Sequence, residues 1–341
     1  ALQCRPNLCW LGEEVEAKQM TLAQVSGQLV DLIRKRAALG RYYGVVLVPE
    51  GLIEFVPELG ALIAEINDVL AVSAAARPPT VAELAPKLKQ PGNAELLRYL
   101  PAEIAAQLLL ERDAHGNVNV SSIETEKLIF ECAMKELRAG VSSASASTST
   151  STSTSASASA PVDVDVTKVL PQFHFFGFEG RSALPSVFDT NYCYALGFNA
   201  GVLLAAGKTG VISTVSNLKA PVQDWRCGGM PLTHMMNMER RAGKDKPVIK
   251  KALTELRGKP FRTFAQYREA WATADVYRTP GPIQFDGCPG ANAITETLRL
   301  EIEQREEDAR AEAESTSGGT GVRKRQRNAG SDAAAAGGGG G

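Results

Sequence analysis

Hydrophobic positions near the start of the chain change from a continuous run to helical spacing. Residues 45–48 read Val-Val-Leu-Val without polar alternation, which predicts a strand that is covered on both faces. Apolar residues recur every three or four positions from Leu22 to Ile33 and from Leu59 to Leu70, which predicts two amphipathic helices. Thr21 suits an N-cap and Pro57 suits a first helical turn. Strands that alternate with helices predict an α/β fold with a parallel sheet.

The middle of the chain departs from this alternation. Residues 77–92 are rich in Pro and Lys and read as a loop, whereas residues 93–139 have helical periodicity. Ser121 to Glu124 have the spacing of a capping box, and Gly140 suits the end of the helix that follows. Residues 142–160 are only Ser, Ala and Thr, which cannot bury enough apolar area to offset the entropy of ordering.

The second half repeats the strand and helix pattern. Residues 173–176 (Phe-His-Phe-Phe) predict a second buried strand, and a helix follows that Gly207 ends before a further strand at about residues 211–215. The stretches VIKKALTEL and FRTFAQYREAW favour helices, and charged residues from about 300 onward favour a flexible tail. The predicted segments are an α/β lobe in two parts (1–76 and 161–299), a helical insertion (77–140), a low-complexity linker (141–160) and a disordered tail (300–341).

Composition excludes several classes of function. The 341 residues carry 37 Lys and Arg against 38 Asp and Glu, so no global field favours nucleic acid. No apolar run reaches about 18 residues, and the first residues lack the sections of a signal peptide, so we expect no membrane association. The six cysteines and three histidines lack metal-ligand spacing, which favours a reduced intracellular protein without a zinc site.

Two loops that follow predicted strands carry the candidate chemistry. Glu50 comes directly after the first strand, where ligands of α/β sheets bind, although it could instead cap the next helix. Phe178, Glu179, Gly180 and Arg181 follow the second strand. A carboxylate accepts hydrogen bonds from vicinal hydroxyls, and an arginine can bind phosphate through two hydrogen bonds. A carboxylate and an arginine together suit the binding of a phosphorylated polyol. A structural Glu50–Arg181 ion pair is the competing interpretation.

Two other motifs have weaker support. Residues 207–210 (Gly-Lys-Thr-Gly) resemble the end of a phosphate-binding loop, but they lie between a helix and a strand, so the end of a helix is the favoured interpretation. Glu13 and Glu14 follow another predicted strand end, where they could face a ligand, although a solvated pair or the start of a helix is favoured.

Several long motifs, in the same order, carry a family resemblance that extends from residue 1 to about residue 299. They are ALQCRPNLCWLGEEV, YYGVVLVPEGLIEFVPEL, IETEKLI, FHFFGFEGRSALPSVFDTNYCYALGFNAGVLLAAGKTGVIST, VIKKAL and PGPIQFDG. With these motifs the chain resembles the pyrophosphate-dependent 6-phosphofructokinases, in particular the catalytic β-subunit type of plants and green algae.

The resemblance implies a fold, a reaction and a set of contacts. The family has two α/β lobes with the active site between them. It transfers a phosphoryl group reversibly from pyrophosphate to the 1-hydroxyl of fructose 6-phosphate, with Mg²⁺. The glutamate of the Pro-Glu-Gly turn, here Glu50, contacts the sugar hydroxyls. The Tyr-x-x-Arg loop that binds the sugar phosphate here reads Phe178-Glu179-Gly180-Arg181, so the arginine matches and the tyrosine hydroxyl is missing.

Three further family segments do not occur in these 341 residues. Gly-Gly-Asp-Asp binds pyrophosphate and Mg²⁺, Thr-Ile-Asp-Gly-Asp carries the catalytic base, and Met-Gly-Arg also contacts the sugar phosphate. All three lie upstream in the family, so we expect this chain to be the carboxyl-terminal part of such an enzyme or a truncated gene model. Catalytic residues and Mg²⁺ ligands are then expected outside this chain, and the chain alone is expected to be inactive.

Two alternatives remain open. The chain could belong to an ATP-dependent 6-phosphofructokinase, because the choice of donor lies largely in the missing segments. It could also be a non-catalytic regulatory subunit that binds sugar phosphate, which Phe178 favours. The resemblance further implies cytoplasmic glycolysis, homo- or hetero-oligomers, and fructose 6-phosphate and pyrophosphate as substrates.

Overall fold

The computed structural model describes residues 1–71, 78–110, 112, 117–146, 164–180, 182, 184–218, 220–241, 244–249, 252–280 and 294–329. The helices are α1 (Gly12–Ala17), α2 (Leu22–Ala37), α3 (Leu52–Phe55), α4 (Pro57–Ala71), α5 (Val81–Leu84), α6 (Asn93–Tyr99), α7 (Ala102–Leu110), α8 (Thr125–Ala146), α9 (Val187–Ala205), α10 (Lys259–Thr273) and α11 (Glu296–Ala329). Short 3₁₀ helices lie at Ala85–Lys87, Val120–Ser122, Val166–Lys168, Val222–Asp224 and Leu232–Met235. The strands are β1 (Leu8–Cys9), β2 (Val46–Leu47), β3 (Val211–Ser216), β4 (Arg226–Pro231), β5 (Met236–Arg241) and β6 (Lys244–Ile249).

The strands form small sheets of two strands each. β1 and β2 pair in parallel, with Leu8 opposite Val46. β3 and β4 are antiparallel, and so are β5 and β6. The predicted mixture of helices and strands is therefore confirmed, and of the pairs in the described residues the one between β1 and β2 is parallel.

The two amphipathic helices near the start of the chain are confirmed. The Thr21 hydroxyl accepts the Gln24 N–H, while the Gln24 side chain accepts the Thr21 N–H, so a reciprocal capping box begins α2. Pro57 opens α4, where its fixed backbone angle and missing N–H cost nothing. The described helices include none that is both long and apolar enough to cross a membrane.

The core is built mainly from helices, including those of the predicted insertion. Leu62 of α4, Leu97 of α6, Leu108 of α7 and Leu128 of α8 are all completely buried in one cluster. Burial of each such side chain stabilises the fold by roughly 1.5–3 kcal/mol. Residues 93–139 therefore share one core with the α/β segment that precedes them.

Two elements predicted in the second half of the chain are wrong. Residues 173–176 are not a strand, and Phe175 and Phe176 are 61% and 58% exposed. An apolar run alone does not distinguish a buried strand from an extended segment, and no partner strand within the described residues pairs with this run. VIKKALTEL is not helical where the structure describes it: β6 runs to Ile249 and pairs with β5, and Pro247 disfavours a helix there.

Helix boundaries also differ from the predictions. Glu124 is bound by Gln107, which donates to its carboxylate and accepts its backbone N–H, both at 3.0 Å, so the predicted capping box from Ser121 is wrong. The helix begins at Thr125 and continues beyond Gly140 to Ala146.

The region from about 300 onward, expected to be flexible, includes most of α11, and Leu300 in it is only 4% exposed.

Candidate functional site

A cleft of about 760 Å³ lies beside β2. Its walls come from α2, residues 41–50, the start of α8 and residues 169–177 together with Gly180. The two loops that were predicted to form a site therefore border one cleft, although they are more than 120 residues apart in the sequence. Much of the lining is aromatic, including Trp10, Tyr42 and Phe130.

Glu50 lies on the cleft wall, three residues after β2 ends, and its side chain is exposed. Gly51 occupies the N-cap position of α3 with φ of +89°, a left-handed conformation that favours glycine. Because Gly51 holds the cap position, the interpretation that Glu50 is the N-cap residue is wrong. A contact between Glu50 and the sugar remains a prediction.

The second loop forms a tight turn. Gly177 has φ of +52°, and the Glu179 N–H donates to the Phe176 carbonyl at 2.9 Å. Gly177 and Gly180 line the cleft, whereas Phe178 is 73% exposed and does not line it. Arg181 lies outside the described residues, so the predicted phosphate contact and the competing Glu50–Arg181 ion pair both remain predictions.

Glu179 has a local partner on this loop. Its carboxylate lies 3.5 Å from His174 Nε2, and both side chains are more than half exposed. The His174 ring contacts the Phe176 ring edge-on, with centroids 4.6 Å apart. Glu179 is therefore held beside His174, which lines the cleft, while Glu179 does not line it.

Two arginines of the cleft wall are joined to one distant carboxylate. Arg36 Nη2 lies 2.7 Å from Asp275 Oδ1, and Arg41 Nε lies 3.4 Å from Asp275 Oδ2. The Tyr43 hydroxyl also donates to Asp275 at 2.9 Å. The hydrogen bond from Arg36 is the main reason that the pKa of Asp275 lies below its ordinary value, and the same carboxylate raises the pKa of Tyr43.

Two guanidinium groups face one carboxylate in this group, while two carboxylates, Glu50 and Glu126, line the same cleft. No pattern in the sequence reveals this group, because Asp275 is 239 residues from Arg36 and no local spacing connects them. The basic residues at 34–36 are also the type that commonly ends a helix, so they gave no separate signal.

Glu13 and Glu14 begin α1, as one interpretation of the sequence predicted. Glu14 is buried and receives hydrogen bonds from Arg268 at 2.8 and 3.0 Å. Glu13 accepts the Thr254 N–H at 2.8 Å. Both carboxylates thus join α1 to residues more than 200 positions later.

The Gly207–Gly210 motif is the end of a helix, as predicted. Gly207 has φ of +68° and follows α9, and β3 begins at Val211. The order is helix, turn, strand, which is opposite to that of a phosphate-binding loop. In the described part of the chain, no group of three or more His, Cys, Asp and Glu side chains is placed to hold a metal ion.

Comparison with known proteins identifies relatives of this chain. The pyrophosphate–fructose 6-phosphate 1-phosphotransferase subunit beta 1 of Arabidopsis thaliana is 47% identical over 304 residues, which are 89% of this chain and 49% of the relative. The chain is homologous to the carboxyl-terminal part of these phosphotransferases.

More distant phosphotransferases match the same extent of chain. The pyrophosphate–fructose 6-phosphate 1-phosphotransferase of Entamoeba histolytica is 44% identical over 308 residues, 88% of this chain and 52% of the relative. The phosphotransferase subunit alpha of Solanum tuberosum is 35% identical over 306 residues, 88% of this chain and 46% of the relative. The chain spans about half the length of the curated relatives it matches. No protein-family model matches it.

Proposed function

We propose that this chain is the fructose-6-phosphate-binding part of a pyrophosphate-dependent phosphofructokinase. The observation that carries the proposal is 47% identity to a protein named for this reaction, over 89% of the chain. Its support in the structure is the common cleft of Glu50 and the 177–180 turn. Identity to the beta subunits exceeds identity to an alpha subunit, 47% against 35%, which favours the catalytic interpretation in which Glu50 acts on substrate.

In the proposed mechanism this chain holds the acceptor sugar. The Glu50 carboxylate accepts hydrogen bonds from the sugar hydroxyls and thereby fixes the orientation of the ring. Arg181 donates two hydrogen bonds to the 6-phosphate, while Glu179 and Gly180 shape the turn that precedes it. Phe178 contributes no hydroxyl donor, so the phosphate is held with one hydrogen bond fewer than in the family's tyrosine version.

The proposed reaction is a single displacement at the transferred phosphorus. A bond forms between the sugar 1-oxygen and the transferred phosphorus, the P–O–P bond of pyrophosphate breaks, the hydroxyl loses its proton and phosphate leaves. Positioning of acceptor and donor supplies much of the acceleration in such transfers. Mg²⁺ would neutralise charge on the phosphates, and its ligands and the catalytic base are proposed to lie outside this chain.

We further propose the setting of the complete enzyme. Its relatives bear the names subunit beta and subunit alpha, which supports an oligomer, either of identical or of different subunits. The reaction belongs to glycolysis in the cytoplasm under this proposal. The parallel pair of β1 and β2 is proposed to be part of a larger parallel sheet in the complete protein.

A binding experiment on the 341-residue chain tests the proposal. Saturation-transfer NMR, which detects weak ligands, is measured with fructose 6-phosphate and, as a control ligand, fructose. We expect signal from the phosphorylated sugar, and we expect Glu50→Gln to reduce it several-fold. Glu54→Gln is the matched control, because Glu54 is an exposed carboxylate in α3 that does not line the cleft. Equal binding of both sugars, or equal effects of both variants, would contradict the proposal.

A further inference from the structure

Residues 41–45, which we call the cleft segment, lead into β2 and on to Glu50, and all of them except Val45 line the cleft. Within the described residues, β2 pairs with β1 over two residues, with Leu8 opposite Val46. A slip of one residue in a ladder turns each side chain to the other face, and two pairs are too few to prevent such a slip by themselves. Other contacts must therefore fix the position from which Glu50 faces the cleft.

Asn7 connects the cleft segment to residues 271–275, which we call the α10 end. Asn7 is 2% exposed, and it both donates to the Val45 carbonyl and accepts the Val45 N–H, each at 2.9 Å. Its side-chain amide donates to the carbonyls of Trp271 at 2.9 Å and Ala274 at 3.0 Å. A shift of either segment would leave buried polar groups unpaired, which is costly, so these bonds hold the two segments together.

Arg36 makes a second connection between the same two segments. It is 3% exposed, and its guanidinium donates to the Tyr43 carbonyl at 2.7 Å and to the Ala272 carbonyl at 3.2 Å. Gly44 permits this close packing, because a Cβ atom there would lie 2.9 Å from Asn7 Oδ1 and 3.3 Å from Arg36 Nε. The cleft segment therefore lies directly on two buried polar side chains.

Asp275 supplies the negative charge of this network. Its carboxylate accepts hydrogen bonds from Arg36 at 2.7 Å and from the Tyr43 hydroxyl at 2.9 Å, and it lies 3.4 Å from Arg41 Nε. Arg41 also donates to the Thr273 carbonyl at 2.6 Å. Arg36, Arg41 and Tyr43 line the cleft, whereas Asp275 does not. An effect of Asp275 on a ligand must therefore pass through these three residues.

We propose that Asp275 is a positioning residue for the sugar, which holds the cleft segment in register and thereby sets the place of Glu50. This inference rests on the proposed function. The carboxylate is needed because Arg36 is buried, and a buried guanidinium without a partner of opposite charge is strongly unfavourable. Without that charge Arg36 has to move toward solvent, and the cleft segment that lies on it moves as well.

Binding of fructose 6-phosphate to the 341-residue chain tests the inference, measured by saturation-transfer NMR well below the melting temperature of each variant. Asp275→Asn keeps the shape of the side chain and removes its charge, so we expect affinity to fall about fivefold or more. Asp275→Glu keeps the charge, and the 31% exposure of Asp275 leaves room for a longer side chain, so most of the affinity should return. Asp31→Asn is the matched control, because Asp31 is an exposed carboxylate on α2 that does not line the cleft.

Two further measurements separate positioning from a general loss of stability. Amide hydrogen exchange in Asp275→Asn should accelerate more at Val45 than at Leu62, which is in the core of α4. Tyr43→Phe removes one donor to Asp275 and leaves the charged groups in place, so it tests the inference even where Asp275→Asn does not fold. It should weaken sugar binding, and Asp275→Asn should add less to the loss in Tyr43→Phe than in the unmodified chain.

The outcomes separate this inference from the proposed function. If the unmodified chain binds fructose 6-phosphate and both Asp275→Asn and Tyr43→Phe bind it equally well, the inference is wrong and the proposed function stands. Equal losses in Asp275→Asn and Asp31→Asn, or equal acceleration of exchange at Val45 and Leu62, also overturn the inference. A folded, unmodified chain that does not bind the sugar rejects the proposed function, and this inference with it.

Discussion

Glu14 and Arg268 form an ion pair with two hydrogen bonds, of 2.8 and 3.0 Å, between residues 254 positions apart. The pair joins α1 to α10, and Lys18 adds a third hydrogen bond at 2.6 Å. Burial raises the pKa of Glu14, but the hydrogen bonds from Arg268 and Lys18 outweigh burial and hold the pKa below its ordinary value.

Loss of this carboxylate should weaken the fold. Glu14→Gln leaves Arg268 without its charged partner, so we expect the free energy of unfolding to fall by about 3 kcal/mol at pH 7, the lower end for a broken buried pair, because the Arg268 side chain is 31% exposed. Urea denaturation measures the change. Glu16→Gln, at an exposed residue of the same helix, should stay within about 0.5 kcal/mol of the unmodified chain. Similar losses in both variants would show that the Arg268 pair contributes nothing specific.

The same pair predicts a dependence on pH. Because the pKa of Glu14 is lower in the folded chain than its ordinary value of 4.5, its contribution is complete above that value and is lost as pH falls through the folded pKa. The difference in stability between the unmodified chain and Glu14→Gln should therefore stay constant from pH 7 down to 4.5 and then shrink toward pH 3. A difference that does not shrink below pH 4.5 would contradict the assignment of the charge to Glu14.

A second buried carboxylate holds the loop before α6. Glu65 accepts hydrogen bonds from the backbone N–H groups of Lys89 and Gln90 and from the Asn93 side chain at 2.8 Å. Glu65→Gln replaces one acceptor oxygen with a donor that faces other donors, so we expect a loss of about 2–3 kcal/mol. Amide hydrogen exchange at Lys89 and Gln90 should accelerate as well. Glu95→Gln, at an exposed residue of α6, is the matched control and should change neither quantity.

The low-complexity tract should be dispensable for stability. A Ser/Ala/Thr run buries almost no apolar area, so replacement of residues 147–160 by a short Gly-Ser bridge should change the melting temperature by less than about 2 °C. Deletion of residues 142–160 also removes the last residues of α8, which ends at Ala146. Comparison of the two deletions therefore shows whether the last turn of α8 contributes to the melting temperature. A large drop with the shorter deletion would mean that the tract is structural.

Elements with strong local signals were predictable from the sequence. The helix from Leu22 carries both an apolar stripe and a complete cap, and the structure contains both. The strand proposed at 173–176 was wrong because an apolar run does not reveal whether a neighbouring strand exists. The connection of Arg36 to Asp275 was missed because ion pairs across 239 residues leave no periodic trace.

The candidate site was predictable only where local sequence signals mark it. Glu50 and the 177–180 turn lie on one cleft, which the order of strand, proline and glycine suggested for the first loop. The second loop reaches the cleft without a strand before it, so its position depends on packing that local pattern does not encode. One example is the edge-to-face contact of Phe130 with Phe173, with centroids 5.7 Å apart.

The role of Arg181 is best measured in a protein that joins this chain to the unmatched amino-terminal half of the Arabidopsis thaliana relative. If Arg181 binds the 6-phosphate, Arg181→Ala should weaken fructose 6-phosphate binding by about 2–4 kcal/mol, because one partner of a charge pair is lost. Arg181→Lys should also lose much of the affinity, since an ammonium group cannot form the paired hydrogen bonds of a guanidinium. Arg138→Ala, at an exposed arginine of α8, is the control and should leave binding unchanged.

Calorimetric titration beside a melting curve separates this role from a structural one. If Arg181 instead pairs with Glu50, Arg181→Ala and Arg181→Lys should lower the melting temperature before they affect affinity. Phe178→Tyr restores the hydroxyl of the family's loop, so binding should stay equal or improve by roughly 0.5–1.5 kcal/mol, the net value of one hydrogen bond. Pyrophosphate affinity should change little, because the resemblance places the pyrophosphate-binding segment upstream of this chain. Unchanged fructose 6-phosphate affinity in a well-folded Arg181→Ala protein would reject the substrate role.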